Sequence, residues 1–406
     1  MSRYLEYNPD QAMLLPASVR EELGERHLAV FLHEAVERLD LRKMEAEASD
    51  VGRPGYAPQL MLKVWLYGYG QGITSSRRIE QRIREDLGFR LLAGGWKPDH
   101  WTLNEFRRRH PKSINDVFTQ VLEMARRMGM AQLGRVAIDS TKVQANASPD
   151  KSSSRDGLRR ERARLRQRVR RWQKQCDQDN SEPGGATTAM PTEWQQRLSQ
   201  IPRQLEELKK SGHKRSSRTD PEARYLRRRG GYCMGYTAEI AVSDDHIIVG
   251  QRVHQEQLDH GGLIAMTQAV ERECGQLPEV VLADCGYYAT TEVQAVKQRG
   301  MDVLVPDVFM AREMAGLIQP VQTNRRQQRR HPGLREHRER MRDPVARAHY
   351  ARRKAVVEPV FGVLKQQRNL RQFRCRGLQS VSTEWTLATT AFNLTRISNR
   401  SQTQPK

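Results

Sequence analysis

The chain has 406 residues, with 69 Lys and Arg against 48 Asp and Glu and a formal net charge of +21. That length suggests two or three domains, and so large a basic excess points to a polyanion, either nucleic acid or an anionic membrane surface. No apolar run approaches the ~20 residues of a membrane span; nucleic acid is therefore the favoured partner. The first residues, MSRYLEYNPD, lack the pattern of a signal peptide. Cys176, Cys233, Cys274, Cys285 and Cys375 are scattered without a CxxC pair. This argues for reduced thiols in a cytoplasmic protein and against zinc or disulfides.

Residues 1–125 read as a helical N-terminal domain. MLKVWLYGYG is apolar on most faces, interrupted only by Lys63 and by glycines, and predicts a buried helix. SSRRIEQRIREDLG predicts a Ser-capped helix with Ile79, Ile83 and Leu87 on one stripe and Gly88 as its stop. PDHWTLNEFRRRH predicts a second helix capped by Asp99 and anchored by Trp101 and Phe106. Two short helices with Arg77, Arg78, Arg107 and Arg108 on their outer faces have the look of a helix-turn-helix and are the candidate DNA-binding surface. The plainer reading is a solvated basic face.

The pattern changes near Arg135. RVAIDSTKVQANA has the β-branched richness of a strand, and GYTAEIAVSDD running into IIVGQRVHQ predicts an antiparallel hairpin. Next come a helix pattern, HGGLIAMTQAVEREC, the apolar run EVVLADCGYY, a helix TTEVQAVKQRG and the strand DVLVPD. Three antiparallel strands followed by strand–helix alternation predict a mixed α/β sheet flanked by helices. The core is split, with residues 126–150 as its first part and 216–375 as its second, followed by a C-terminal helix and tail at 376–406.

Residues 151–215 interrupt that core. Leu158, Leu165, Val169, Trp172 and Cys176, and then Trp194, Leu198, Ile201, Leu205 and Leu208, fall at heptad-like spacings on either side of a loop containing EPGG. The two stripes predict an antiparallel helical hairpin with Trp172 and Trp194 in its core. Pro202 is expected to kink its second helix, and SGHKRSS to be a linker back to the sheet.

The chemistry rests on acids. Asp139 falls at the end of a strand whose Val136 and Ile138 point to the other face, and Asp284 ends the buried run VVLA, with Gly286 just after it. Acids at strand ends of an α/β sheet stand where such folds place ligands, although Asp is also common where a strand meets a turn. Glu358 lies in YARRKAVVEPVFGVLKQQRNLRQF, where Val357, Phe361 and Leu364 form a helical stripe and Lys354, Glu358 and Lys365 share the adjoining face. Lys354 and Glu358 could be an ordinary surface ion pair. A carboxylate among cations, with two other acids in the chain, equally suits hard Mg²⁺ ions beside phosphates.

The segments VAIDSTKVQANAS, GYTAEIAV, VVLADCGYYA and YARRKAVVEPVFGVLKQQRNLRQF occur in the order found in the DDE transposases of bacterial insertion sequences, and RPGYAPQLMLKVWLYGYGQGITSSRRIEQ resembles their helical N-terminal domain. The resemblance implies an RNase H-like catalytic core and a catalytic, metal-binding triad of Asp139, Asp284 and Glu358. It implies two Mg²⁺ ions, replaceable by Mn²⁺, and cleavage and strand transfer of double-stranded DNA at terminal inverted repeats and target DNA. A homodimer would pair the two ends, and the protein would work in the cytoplasm on the nucleoid. Tyr350, Arg353, Lys354 and Lys365 correspond to the family's Tyr–Arg–Glu–Lys helix, and would contact DNA. Here Lys354 stands four residues before the Glu, where the family's arginine is usual, with Arg353 one position earlier. The alternative is a catalytically inactive, domesticated DNA-binding derivative.

Overall fold

In a computed structural model of the chain, residues 18–47, 55–148, 151–179, 189–228, 230–257, 261–320 and 323–403 are described. The segment MSRYLEYNPD and the EPGG loop lie outside the described residues. Eight helices come first: α1 (Val19–Leu23), α2 (Leu28–Glu37), α3 (Arg42–Ala46), α4 (Pro58–Gly70), α5 (Ser76–Glu85), α6 (Leu87–Ala93), α7 (His100–Arg109) and α8 (Pro111–Arg127). As its all-round apolar pattern predicts, α4 is buried from Leu60 to Tyr69, with Pro58 in its first turn, where the missing N–H costs nothing. Lys63 on this helix is buried but paired with Glu37 and 3.0 Å from His33 Nδ1.

Three expectations for this region are corrected. The helix of SSRRIEQRIREDLG ends at Asp86 rather than Gly88, because the Asp86 side chain accepts from Phe89 N at 3.0 Å and starts α6. Gly88 lies inside α6, where a Cβ would collide with the Tyr67 hydroxyl. Asp99 does cap α7, through Thr102 N at 2.7 Å, and Phe106 is buried; Trp101, however, is 69% exposed and anchors nothing. Arg107, expected on the outer face, is only 3% exposed. Its guanidinium lies 3.8 Å from the centre of the Trp65 ring and donates to the Tyr69 hydroxyl at 2.7 Å and to Asn104 Oδ1 at 2.6 Å. It packs the interior and is removed from the candidate DNA surface.

The sheet begins with β1 (Arg135–Gln144), and the chain then leaves it for an arm. β2 (Ser152–Ser154), α9 (Arg155–Asp179), α10 (Thr192–Ser211) and β3 (Arg215–Ser217) form that arm. β2 and β3 pair antiparallel at its base, so the last residues of the expected linker SGHKRSS are a strand. Leu158, Ile201 and Leu208 are buried, with Leu165 and Leu205 packed on them. Val169, Trp172, Cys176 and Trp194 are half-buried, and Arg168 stacks 4.8 Å from the Trp194 ring centre. Pro202 lies within α10, which is one helix on both sides of it.

The chain returns as β4 (Arg224–Arg228), β5 (Gly231–Ser243) and β6 (Ile248–His254), followed by α11 (Gly262–Cys274), β7 (Val280–Leu282), α12 (Thr290–Gln298) and β8 (Asp302–Leu304). Strand order is β4-β5-β1-β7-β8, with β6 also on β5; β1, β4, β5 and β6 meet antiparallel, and β7 and β8 are parallel to β1. This is the expected mixed sheet, including its hairpin. Helices α13 (Val308–Met314), α14 (Arg325–Arg330), α15 (Leu334–Arg342), α16 (Pro344–Ala351), α17 (Arg353–Gly362) and α18 (Leu378–Thr403) complete the chain, with a π-helical turn at Val363–Gln367. α18 packs against α4 and α8 on one side and β6 on the other. Asn393 on α18 bonds both the N–H and C=O of Ile248, at 2.9 and 2.8 Å, so the N-terminal helices and the sheet share one core. Among the described residues no helix is long and apolar enough to cross a membrane.

Candidate active site

β1 and β7 run parallel, pairing Arg135 with Val280, Val136 with Val281 and Ala137 with Leu282. Carried two residues further, the same offset sets Asp139 level with Asp284, which lies just past the end of β7; Asp139 itself is inside β1, not at its end as expected, because pairing with β5 carries the strand on to Gln144. Asp284 caps a 3-10 turn, Cys285–Tyr287, by accepting from Gly286 N at 2.8 Å. Asp139 Oδ1 accepts from Ser140 N at 2.7 Å, and its Oδ2 accepts from Arg353 Nη1 at 3.3 Å.

Arg353 reaches Asp139 because α17 packs across β1. Its side chain is 9% exposed, so the guanidinium is held against the acid rather than free in solvent. Tyr350, at the end of α16, lies within electrostatic reach of Arg353 and Asp284: burial pushes its hydroxyl pKa up, Arg353 opposes that, and Asp284 adds to it. Burial and then Asp284 also push the Cys285 thiol up, which suits an inert side chain. Lys365, on the π-helical turn, donates to the Thr141 hydroxyl, two residues along β1 on the face of Asp139. Burial holds its ammonium below the ordinary lysine value, Asp139 opposes that shift, and Arg228 and Arg371 add to it.

Asp139, Asp284, Tyr350, Arg353 and Lys365 thus come together. Glu358 is exposed on α17, with Lys354 one turn before it, while Val357, Phe361 and Leu364 bury the other side of the helix. Among the described residues no three Asp, Glu, His or Cys side chains stand close enough together to hold a metal ion. Arg77 and Arg78 are exposed on α5; Arg108 is exposed on α7, 3.9 Å from Glu105.

Sequence reading missed several supporting groups. Tyr287, in the turn that Asp284 caps, donates to the fully buried Glu239 at 2.9 Å, and Arg252 and His254 pair with the same carboxylate. Burial alone would raise the Glu239 pKa, but His254 and Arg252 outweigh it and hold it low. The signal was available: a glutamate in the apolar run GYTAEIAV must find partners once buried. Asp307, after β8, is buried against Arg338 at 2.7 Å and fixes the helices between the sheet and α17. Nothing in the local sequence points to that pair.

Comparison with known protein families gives two matches. A family described as a Transposase domain (DUF772) matches residues 17–109, spanning α1 to α7. A family described as a Transposase DDE domain matches residues 319–398, the segment that carries Tyr350, Arg353, Glu358 and Lys365. No curated protein and no solved structure gives a significant match. The chain thus carries a match to a transposase domain in its N-terminal part and to a transposase DDE domain in its C-terminal part, and both matches support an insertion-sequence DDE transposase.

Proposed function

We propose that this transposase cleaves DNA at the terminal inverted repeats of its element and joins the freed 3′ ends to target DNA, in a reaction dependent on divalent metal. One observation carries the reading furthest. By the parallel register of β1 on β7, Asp139 inside β1 is level with Asp284 just past the end of β7, and the helix bearing Glu358 packs on β1. On this reading the sheet is an RNase H-like core at residues 126–150 and 216–375, with residues 1–125 as the N-terminal domain, 151–215 as an inserted arm and 376–406 as the C-terminal helix and tail. The protein works in the cytoplasm on nucleoid DNA, as a homodimer that pairs two ends.

The chemistry of the acids, rather than a ready-made cluster of three, supports Mg²⁺. Carboxylate oxygens are the ligands a hard cation takes, and Asp139 already accommodates a cation, the Arg353 guanidinium. Asp139, Asp284 and Glu358 would hold two ions, which supply Lewis-acid stabilisation of an in-line phosphoryl transfer. The protein's own groups position the polyanion. Lys365, fixed on Thr141, directs its ammonium toward the charge that accumulates near Asp139. Arg353 balances Asp139 until substrate arrives, and Tyr350 and Lys354 border the same surface. On this reading the carboxylates serve as ligands, and water and then a DNA 3′-hydroxyl would be the attacking groups. Arg77, Arg78 and Arg108 supply phosphate contacts at the N-terminal helices.

The test is Mg²⁺-dependent nicking and strand transfer by the purified protein on element-end DNA, with Mn²⁺ replacing Mg²⁺ and Ca²⁺ allowing binding alone. A protein that binds those ends but never cuts them under any of these ions is the inactive derivative instead.

A further inference from the structure

β4 and the start of β5 form a two-stranded ribbon, Arg224–Arg228 against Gly231–Gly235. It projects past the end of β1, whose last pairing with β5 is Gln144 with Gly235. The stretch ARYLRRRGGYCMGYTA, from Ala223 to Ala238, contains no Asp or Glu. Arg227 and Arg228 are exposed and have no ion-pair partner among the described residues.

The register places Tyr225 opposite Met234 and Arg227 opposite Tyr232, so the two tyrosines are diagonal neighbours on one face. Their rings stack 4.8 Å apart with 8° between planes, and the Arg215 guanidinium lies 5.6 Å from the Tyr225 ring centre. Cross-strand aromatic pairs stabilise ribbons, which accounts for the inner tyrosine. It does not account for the outer one: Tyr232 is 49% exposed, among arginines, on a strand pair without acids. The ribbon is also continuous with the catalytic face electrostatically, since the Arg228 charge acts on Lys365.

We propose that this ribbon is a docking site for locally unpaired DNA beside the catalytic acids. Arg227 on the tyrosine face and Arg228 on the opposite face of the edge strand β4 take successive phosphates of a strand that passes over that edge, and the open face of Tyr232 stacks on one of its bases. Bases inside a duplex are already stacked on each other and offer no free face, so the ligand this surface selects is a strand opened near the cut. Aromatic stacking of this kind is tolerant of sequence, whereas arginine–phosphate contacts give salt dependence. The proposal rests on the DNA-cleaving reading above.

Binding of the full-length protein is measured by fluorescence anisotropy on two labelled probes, a blunt element-end duplex and the same duplex with a short single-stranded tail. The wild type should prefer the tailed probe by about tenfold. Tyr232→Ala should remove that preference and leave blunt-duplex affinity unchanged, while Tyr232→Phe, which keeps the ring, should retain it. The Arg227→Ala/Arg228→Ala double variant should weaken binding to both probes and lower the slope of log affinity against log salt by about two. A Tyr232→Ala protein with an undiminished preference overturns the stacking role, and an unchanged salt slope overturns the phosphate role. Nicking by the same preparations separates the two levels: a wild type that cuts, with variants behaving like it on both probes, contradicts the ribbon alone. A wild type that neither binds nor cuts contradicts the functional reading as well.

Discussion

Around the sheet a single core runs from Ala29 in α2 to Ile397 in α18, whereas among the described residues of the arm the buried apolar cluster is Leu158, Ile201 and Leu208. The arm adds polar contacts, among them Arg197 on α10, which reaches Glu161 on α9 through two bonds at 2.5 and 2.7 Å. The body is held by burial shared between the N-terminal helices and the sheet, with α18 packed on α2, α4, α7, α8 and β6. The difference predicts two kinds of response to damage. A change in the body should be felt by the N-terminal helices and the sheet together, and a change in the arm should stay in the arm. It also means that residues 1–125 are not a detachable reader of DNA. Removing them would strip α4 and α8 from α18, so their role is better tested by substituting the exposed Arg77, Arg78 and Arg108.

The largest effect is expected at Asp307. Asp307→Ala leaves Arg338 buried without its partner and should cost about 3–5 kcal/mol, with the N-terminal helices and the sheet melting in one transition. Separate transitions would break the comparison. The gap between wild type and Asp307→Asn should depend on pH. Burial pushes the Asp307 carboxyl up, but Arg338 and the Met310 and Phe309 N–H groups outweigh it, so the folded pKa is depressed. Its contribution is fully present above the unfolded carboxylate value of about 3.9 and is lost as pH falls below that, through the folded value. Urea titrations from pH 7 to pH 3 should show the gap narrowing only at the acid end.

Gly88→Ala comes next. The methyl group would meet the Tyr67 hydroxyl, and overpacking of this kind costs about 1–3 kcal/mol. Since α6 lies far along the chain from the sheet, a loss of sheet stability in this variant, read by hydrogen exchange in β1, would sharpen the claim of a shared core. Lys365→Met should act in the opposite direction. The lysine pKa is lowered in the fold, so the charged form is disfavoured there below the unfolded value of about 10.4, and at neutral pH it weakens stability. Removing it should raise Tm by the order of a degree while reducing cleavage. The smallest effect is expected from the arm: joining Ser154 to Arg215 by a short Gly/Ser loop should leave the melting of the body unchanged. A large loss in that deletion would show that the arm belongs to the common core.

How much of this was legible follows the physics of each element. β1, the β5–β6 hairpin and the two arm helices announce themselves by period, because one face of each must be apolar. Asp284 could be placed just after a strand for the same reason, whereas Asp139 could not be placed within its strand, since the pairing with β5 that extends β1 to Gln144 is a tertiary contact. Arg107 could not be placed: its neighbours in sequence are the exposed arginines of NEFRRRH, and only the fold brings Trp65 and Tyr69 against it. Trp101 failed in the opposite sense, since a large aromatic on a short helix suggests an anchor until the packing shows which side faces water. Gly88 looked like a helix stop because close approach to Tyr67 is a tertiary demand that leaves no local mark. The arrangement of Arg353 on Asp139 joins residues from α17 and β1 that no local pattern relates.

The most direct test of the central claim is the rate at which Glu358→Gln cleaves element-end DNA in Mg²⁺, measured beside its affinity for the same DNA. Of the three acids, Glu358 is the one that the fold leaves on an exposed helix flank, so its role depends most on the proposed chemistry. The substitution keeps the shape and removes the charge. Cleavage should fall by about a thousandfold or more, with DNA binding intact or slightly tighter. Cleavage at close to the wild-type rate would contradict the assignment of Glu358 as the third ligand.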